Sequence, residues 1–265
     1  MTQTGATLPQ LMSIMRRLLA PDGCPWDREQ TLQTLRPFVI EEAHEVVDAI
    51  DQNDMLNLRE ELGDLLLQIV FQSALAEDKL GGAFGIDDVI AGICDKMTRR
   101  HPHVFGDETA ADSSAVLARW EQLKAQEKVG RGVLDGVPRS MPALLRASRV
   151  GEKAGQIGLD WPDVRGPREK LDEELAELDE AIELGDRAAI ESELGDVLFS
   201  AVSVGRKLGI DPEAALRRTV DTFSARTAQI ESTLREQQLD ARTLAPAQLD
   251  ELWRAAKETL KRAGK

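Results

Sequence analysis

Apolar residues cover almost every side of one segment in each half of the chain. Residues 58–71 leave only a narrow polar stripe when successive positions advance by about 100°, as they do in a helix. Residues 193–202 repeat this pattern. The stripes consist of Glu61, Asp64 and Gln68 in the first segment and Glu193, Asp196 and Ser200 in the second. A helix that is apolar nearly all round is normally buried, so we expect two buried helices that each carry acids on one side.

A second acidic segment precedes each of these helices. Short polar turns at residues 51–54 and 184–186 join the two segments, which predicts an αα-hairpin in each half. The acids before the turns are Glu41, Glu42 and Glu45 in the first half and Glu173, Glu174 and Glu177 in the second. Every acid of one hairpin matches an acid of the other at one constant spacing. This internal repeat predicts two homologous domains.

The composition favours helices throughout the chain. Its 265 residues exceed the usual size of one domain, and 42% are hydrophobic, 30% are charged and none is tyrosine. Glycine and proline concentrate at residues 130–142, which interrupts the helical pattern. We predict an all-α protein with two tandem helical-bundle domains built on the αα-hairpin, at residues 1–129 and 143–265, joined by a linker at 130–142.

The spacing of the acids predicts a metal site in each hairpin. Glu42 and Glu45 are spaced i,i+3, as are Glu61 and Asp64, so each pair lies on one helix face. Two such pairs on packed helices can converge on one hard cation, and Mg²⁺ prefers oxygen ligands. The alternative is that these acids form a solvated helix face. Repetition of the pattern beside an apolar core favours the metal site, with Mn²⁺ expected to substitute for Mg²⁺.

The same hairpins predict contacts beyond a single packed layer. Gly63 and Gly195 lie inside helices, where each costs about 1 kcal/mol relative to alanine, so their presence indicates close helix approach. Each hairpin is also apolar on more faces than one neighbouring layer can cover. Exposed faces of this kind normally mark an interface, which predicts a homodimer with packing like that of a four-helix bundle.

Charge and hydropathy exclude several classes of partner. A formal net charge of −14 opposes binding to a nucleic-acid polymer, because such binding depends on Lys and Arg. The amino terminus has no signal-peptide pattern and the longest apolar run is too short to span a membrane, so we expect a cytoplasmic protein with no membrane partner. Cys24 and Cys94 show no zinc or disulfide spacing. A small phosphorylated ligand is compatible with the charge if a cation is bound.

Cations and tryptophans supply candidate nucleotide contacts in both halves. A basic side chain near the metal can bind phosphate, and a tryptophan one helical turn before a lysine can stack on a base while the ammonium binds phosphate. The candidates are Lys96, Arg100, Trp120 and Lys124 in the first half and Arg226, Trp253 and Lys257 in the second. The alternatives are surface cations and tryptophans that pack in the core.

The pattern EExxE followed by ExxD resembles the MazG family of nucleoside triphosphate pyrophosphohydrolases. The segments Cys24–Asp27 and Val133–Leu144 extend the resemblance over essentially the whole chain. It implies an all-α dimer that hydrolyses NTPs and dNTPs to the monophosphate and pyrophosphate with Mg²⁺. Weak discrimination between bases and a house-cleaning role in the nucleotide pool are expected.

The resemblance also implies roles for particular residues, with the second copy as the catalytic one. Its metal ligands are then Glu174, Glu177, Glu193 and Asp196, and Glu173 or Glu41 is the candidate base. Family positions that contact nucleotide match Lys170, Leu171, Asp172, Glu173, Glu174, Thr222, Arg226, Trp253 and Lys257. Thr222 departs from the family pattern DKFxxR, in which this position is lysine. The first copy keeps Lys96 and Arg100 in its corresponding stretch.

Two rival functions fit the same residues. A narrower dUTP or dCTP pyrophosphatase of similar all-α build predicts turnover of one pyrimidine nucleotide. A non-enzymatic helical interaction protein, whose acids bind Ca²⁺ or a basic partner, predicts no hydrolysis. A panel of nucleotides assayed with Mg²⁺ separates all three.

Overall fold

The structure is a computed structural model that describes residues 6–79, 81–109, 111–126 and 132–263, without the side chains at positions 79, 117, 118, 121, 122, 124–126 and 263. All regular secondary structure in these ranges is helical, which confirms the predicted all-α class. The chain divides into an N-terminal unit (Met1–Val129) and a C-terminal unit (Gly130–Lys265). None of the described helices is long and apolar enough to cross a membrane.

The N-terminal unit is a helical assembly around one hairpin. Its described helices are α1 (Leu8–Leu19), α2 (Pro25–Glu29), α3 (Leu32–Asp51), α4 (Met55–Lys79), α5 (Ile86–Arg100), α6 (Pro102–Phe105) and α7 (Ser113–Gln126). Helices α3 and α4 pack along each other as the predicted αα-hairpin, and α1 and α5 pack against α4. The hairpin is therefore the central element of this unit.

The C-terminal unit repeats the hairpin with different surroundings. Its described helices are α8 (Ala143–Gly155), α9 (Arg165–Leu184), α10 (Arg187–Lys207), α11 (Pro212–Glu236) and α12 (Pro246–Ala263), with a short 3₁₀ turn at Ala241–Thr243. Helices α9 and α10 form the hairpin, α8 packs against α10 and α11, and α12 packs against α11.

Both hairpins turn through one left-handed residue followed by an aspartate. Asn53 has φ of 55° and Gly185 has φ of 68°, a region that asparagine and glycine tolerate best. Asp54 Oδ1 then accepts N–H bonds of 3.1 and 3.0 Å from the first turn of α4. Asp186 Oδ1 accepts bonds of 3.0 and 3.2 Å from the first turn of α10. Each aspartate caps the second helix and fixes where it begins.

The two units differ in the core that supports the hairpin. In the N-terminal unit, α1, α3, α4 and α5 bury one contiguous apolar cluster of Met12, Met15, Leu35, Val70, Phe71, Ala74, Leu75 and Ile86. In the described part of the C-terminal unit the buried hydrophobic residues are Ala181, Val202 and Ala256. Because stabilisation scales with the apolar area removed from water, the C-terminal unit gains much less from its own core.

Burial of α4 and α10 on nearly all faces is not found, so this expectation is wrong for the single chain. Leu62 and Leu66 of α4 are 50% and 41% exposed, and Leu194 and Leu198 of α10 are 48% and 49% exposed. The helix approach expected at the two helical glycines is also absent, because a Cβ at Gly63 or Gly195 would meet no atom within 4 Å. Periodicity identifies an apolar face, but it does not identify what covers that face.

The predicted linker is attached to the C-terminal unit. Lys153 of α8 donates hydrogen bonds from Nζ to the backbone carbonyls of Val133 at 3.1 Å and Asp135 at 2.9 Å. Residues 133–135 are therefore held by α8.

Candidate metal and nucleotide site

Three carboxylates of each hairpin converge. In each set, one oxygen from every residue lies within 4.8 Å of the others. Two acids come from the first helix of the hairpin and one from the second, and the i,i+3 spacing places the first two on one face of their helix. The N-terminal cluster consists of Glu42, Glu45 and Glu61, and the C-terminal cluster consists of Glu174, Glu177 and Glu193.

The fourth predicted ligand of each hairpin stands outside its cluster. Asp64 lies one turn beyond Glu61 on α4 and is near enough for its charge to raise the pKa values of Glu42 and Glu61. Asp196 lies in the equivalent place on α10 and is exposed. The structure therefore brings together three of the four predicted ligands in each copy, and a metal-ligand role for Asp64 and Asp196 stays a prediction.

The N-terminal cluster concentrates negative charge and has no basic partner among the residues that the structure describes. Burial raises the pKa of Glu42, and the neighbouring carboxylates of Asp64 and Glu45 raise it further. Burial also raises the pKa of Glu61, together with the charge of Glu45 and a side-chain hydrogen bond to it. Among the described residues, no ion pair joins this cluster to a lysine or arginine. Repulsion between these acids is what a bound cation would relieve.

The C-terminal cluster has a basic partner on its own helix. Lys170 Nζ lies 2.7 Å from an oxygen of Glu173 and 2.7 Å from an oxygen of Glu174. These two carboxylates raise the pKa of Lys170. The Glu174 side chain is only 6% exposed, so this pair is partly withdrawn from water. The pKa of Glu177 is raised, chiefly by a hydrogen bond to Glu174 and also by burial.

The donors of both clusters fit a hard divalent cation. All six are carboxylates, which suit Mg²⁺, Mn²⁺ or Ca²⁺ better than softer metals. Three acids with oxygens within 4.8 Å repel one another, and burial of Glu174 increases the cost of its charge. These carboxylates would hold such an ion, and water or phosphate oxygens would complete its coordination, as at Mg²⁺ sites in general.

Trp253 of α12 lies against a cation and a ring from α11. The guanidinium carbon of Arg226 is 5.3 Å from the Trp253 ring centre, and the Phe223 ring is 5.0 Å away. Lys257 lies one turn further along α12 and is exposed. The Thr222 hydroxyl donates a 2.8 Å hydrogen bond to the carbonyl one turn earlier in α11. Arg226 and Trp253, predicted separately as nucleotide contacts, therefore form a pair.

The N-terminal unit repeats this pair with a different second ring. The guanidinium carbon of Arg100 lies 5.3 Å from the centre of the Trp120 ring, and the His101 ring lies 4.9 Å away at 67°. Lys96 is exposed on α5. The predicted contact of Lys124 lies outside the described residues, since only the backbone of that position is described.

The sequence matches one family in both hairpin regions. The model of the MazG nucleotide pyrophosphohydrolase domain matches residues 30–105 and again residues 167–230, which contain the two clusters. The chain belongs to the MazG family. The predicted resemblance is thereby confirmed.

Relatives of this MazG chain match it over nearly its full length. A nucleoside triphosphate pyrophosphohydrolase of Escherichia coli (strain K12) is 41% identical over 258 residues, 94% of this chain and 97% of the relative. The nucleoside triphosphate pyrophosphohydrolase/pyrophosphatase MazG of Thermotoga maritima is 42% identical over 259 residues, 97% of this chain and 98% of the relative. YabN of Bacillus subtilis (strain 168) is 44% identical over 254 residues, 95% of this chain and 52% of YabN.

The remaining predicted residues of the MazG site lie on the first helix of each hairpin. Glu41 is exposed on α3, and Glu173 is exposed on α9, where it pairs with Lys170. Leu171 is half-buried. Asp172 is exposed and forms an ion pair with Arg168 of the same helix. Glu173 is therefore the candidate base that already lies beside a cation.

Sequence reasoning missed two sets of contacts in the MazG fold. The i,i+4 spacing of Lys170 and Glu174 is a signal that could have shown their ion pair. No comparable signal exists for Asp160, whose carboxylate lies 2.6 Å from both Arg206 and Lys207 at the end of α10. Hydrogen bonds from Arg206 and Lys207 hold the pKa of Asp160 well below its usual value. These two ion pairs of Asp160 attach the segment between α8 and α9, residues 156–164, to α10.

Proposed function

We propose that this chain is a Mg²⁺-dependent nucleoside triphosphate pyrophosphohydrolase, which cleaves NTPs and dNTPs to the monophosphate and pyrophosphate. The observation that carries the proposal is the pair of carboxylate clusters within the two segments that match the MazG domain. The names of the relatives from E. coli and T. maritima support the same reaction. Removal of altered or surplus nucleotides in the cytoplasm is the role that such an activity would serve.

The C-terminal cluster is the proposed catalytic metal site. Glu174, Glu177 and Glu193 would hold Mg²⁺ or Mn²⁺, with Asp196 as the fourth ligand. A divalent ion there would neutralise triphosphate charge and lower the pKa of a bound water. Glu173 is exposed next to this cluster, so its carboxylate can accept a proton from the attacking water. Glu41 occupies the equivalent position on α3 and is the candidate base of the N-terminal unit.

The proposed nucleotide contacts favour charge and ring stacking over base-specific hydrogen bonds. Lys170, Arg226 and Lys257 supply positive charge for phosphate oxygens. Trp253 supplies a ring for the base. Stacking tolerates every base because each has a π-face, whereas amide donors and acceptors would select one. Broad base specificity follows from this set of contacts.

A nucleotide panel tests the proposal. All common NTPs and dNTPs are incubated with the full chain and Mg²⁺, and pyrophosphate is distinguished from orthophosphate. We expect pyrophosphate from purine and pyrimidine nucleotides alike, loss of turnover with a chelator, and recovery with Mg²⁺ or Mn²⁺. Turnover of one pyrimidine nucleotide would support the narrower dUTP or dCTP enzyme. Absence of any hydrolysis would support the non-enzymatic alternative.

We also propose that the chain forms a homodimer through its hairpins. Leu194, Leu198 and Phe199 are 48%, 49% and 40% exposed on α10, and Gly195 lies among them with open space beyond it. Contiguous exposed apolar faces mark interfaces, and the described part of this unit buries few apolar side chains on its own.

Light scattering tests the dimer. We expect a dimer mass at micromolar concentration and a monomer mass for Leu198→Glu, since a charge at that position would be desolvated in an interface. Ile157→Glu is the matched control, because Ile157 is 66% exposed in the same unit but lies outside the hairpin. A monomer mass for the unaltered chain would contradict the proposal.

A further inference from the structure

The C-terminal cluster contains its own cation. Lys170 reaches Glu174 from one turn earlier on α9, at 2.7 Å, and contacts Glu173 at the same distance. The ammonium therefore already neutralises part of the charge that a divalent ion would meet. Its side chain is 36% exposed, whereas that of Glu174 is 6% exposed, so the lysine can leave towards solvent more easily than the glutamate can.

The N-terminal cluster has a phenyl ring in place of this ammonium. When the acids of the two hairpins are aligned, Phe38 is equivalent to Lys170, one turn before Glu42 as Lys170 is one turn before Glu174. Phe38 packs against the apolar core of its unit and lies 6.2 Å from the Trp26 ring. The two clusters thus share their arrangement of carboxylates but differ by one positive charge at this position of the first helix.

We infer that Lys170 is a built-in counter-cation that a divalent ion must displace from Glu174, so that the C-terminal cluster binds the ion more weakly than the N-terminal cluster. The inference rests on the proposed function, because it requires that both clusters bind such an ion. An ammonium and a divalent ion on the same carboxylate would lie only a few Å apart, and they would repel each other strongly in a partly desolvated site. Displacement also frees an ammonium beside the cluster for a negatively charged substrate.

Mn²⁺ binding measured by electron paramagnetic resonance tests the inference without using activity. Glu61→Gln in the full chain leaves the C-terminal cluster intact, and Glu193→Gln leaves the N-terminal cluster intact, so each affinity is measured alone. We expect tighter binding at the N-terminal cluster. Adding Lys170→Gln to the Glu61→Gln chain should tighten binding at the C-terminal cluster by about tenfold or more, since a unit charge a few Å away is removed.

Two controls separate displacement from a general change of charge or packing. Arg168→Gln removes one positive charge from the same helix, but Arg168 pairs with Asp172 on an exposed surface. Its effect on Mn²⁺ affinity should be under about threefold, because water and salt screen it. Phe38→Lys should weaken binding at the N-terminal cluster, with Phe38→Met as the control for lost ring packing.

Thermal unfolding supplies a second measurement. In a chelator, Lys170→Gln should lower the melting temperature, because Glu174 loses its partner. Saturating Mn²⁺ should restore most of this loss, since the ion replaces the lysine. A lysine that only packs on α9 would give an equal loss with and without Mn²⁺.

The outcomes distinguish the inference from the function on which it rests. Equal Mn²⁺ affinities at the C-terminal cluster with and without Lys170→Gln, or an equal thermal loss in both buffers, would overturn the displacement. No Mn²⁺ binding at either cluster in any variant would instead overturn the proposed metal-dependent function.

Discussion

Phe38 and Lys170 occupy equivalent places beside two carboxylate clusters of the same arrangement. Phe38 joins an apolar core and brings no charge to the acids of its cluster. Lys170 pairs with the acids instead, in a unit whose described residues include few buried apolar side chains. The hairpin backbone sets where the carboxylates lie, while one position on its first helix sets the charge around them. Two copies can therefore keep one geometry and diverge in chemistry.

The largest expected difference between the copies is catalytic. Glu193→Gln or Asp196→Asn should reduce Mg²⁺-dependent pyrophosphate release by more than about 100-fold, since even outer-shell partners of metal ligands are worth about 10- to 100-fold. Glu61→Gln or Asp64→Asn should leave most activity. Steady-state assays measure both, with circular dichroism as the folding control. If Asp64→Asn abolishes activity and Asp196→Asn does not, the N-terminal copy is the active one.

Removing an ion pair is expected to lower the free energy of unfolding much more in the C-terminal unit than in the N-terminal unit. Asp160→Asn should destabilise the C-terminal unit by about 2–3 kcal/mol, because two mostly buried cations lose their partner. Asp22→Asn in the N-terminal unit should change stability by less than about 1 kcal/mol, since Asp22 and Arg17 are both exposed. Urea unfolding with hydrogen exchange of each unit measures both. Equal effects would refute the distinction.

The ion pairs of Asp160 with Arg206 and Lys207 predict that the stability of the C-terminal unit depends on pH. The pKa of Asp160 is lowered in the folded protein from its ordinary value of 3.8, so the unfolded chain binds the proton more readily. The contribution of Asp160 to the free energy of unfolding is therefore complete above pH 3.8, its ordinary pKa, and declines as the pH falls below that value. The stability gap between the unaltered chain and Asp160→Asn should narrow with acidification. A constant gap would contradict this.

A smaller difference is expected at the tryptophans. Trp253→Ala should raise KM for ATP about tenfold, since base stacking on a ring is worth about 1–3 kcal/mol. Trp120→Ala removes the equivalent ring, with its own arginine at the same 5.3 Å, and should leave KM unchanged if the C-terminal unit is the catalytic one. Steady-state kinetics with both variants measure this. Equal increases in KM would show that both copies bind substrate.

The smallest expected effect concerns the departure from the family pattern at Thr222. Thr222→Lys adds a charge on the exposed surface of α11, four residues before Arg226. It should lower KM by only a few-fold, about what an exposed charge pair contributes. Thr222→Gln is the control for side-chain length. A rise in KM would mean that the threonine itself contacts substrate.

The helices and the clusters could be predicted because their signals are local. Turn residues, an aspartate cap and i,i+3 acids all lie within a few positions of the structure they determine. The EExxE and ExxD patterns therefore identified three carboxylates of each cluster from sequence alone. The fourth acid of each set, Asp64 or Asp196, satisfies the same spacing, but side-chain rotamers decide which oxygens meet.

The remaining features depend on contacts that sequence spacing does not encode. Asp160 and Arg206 meet through the path of a loop, and nothing periodic joins them. Exposure of Leu62 and Leu198 depends on what covers a helix face, which an apolar pattern cannot specify. Phe223 approaches Trp253 only because α12 packs on α11.

The short turn between α9 and α10 has a kinetic consequence. Gly185 and Asp186 alone separate the two helices, so the acids of the C-terminal cluster meet as soon as that hairpin closes. Closing a short loop costs little entropy, and local contacts form early in folding. We therefore expect the like charges of the cluster to come together before the rest of the unit packs, with Lys170 on the same hairpin as the first cation available. A divalent ion in the refolding buffer should therefore speed formation of this hairpin as well as stabilise the folded chain.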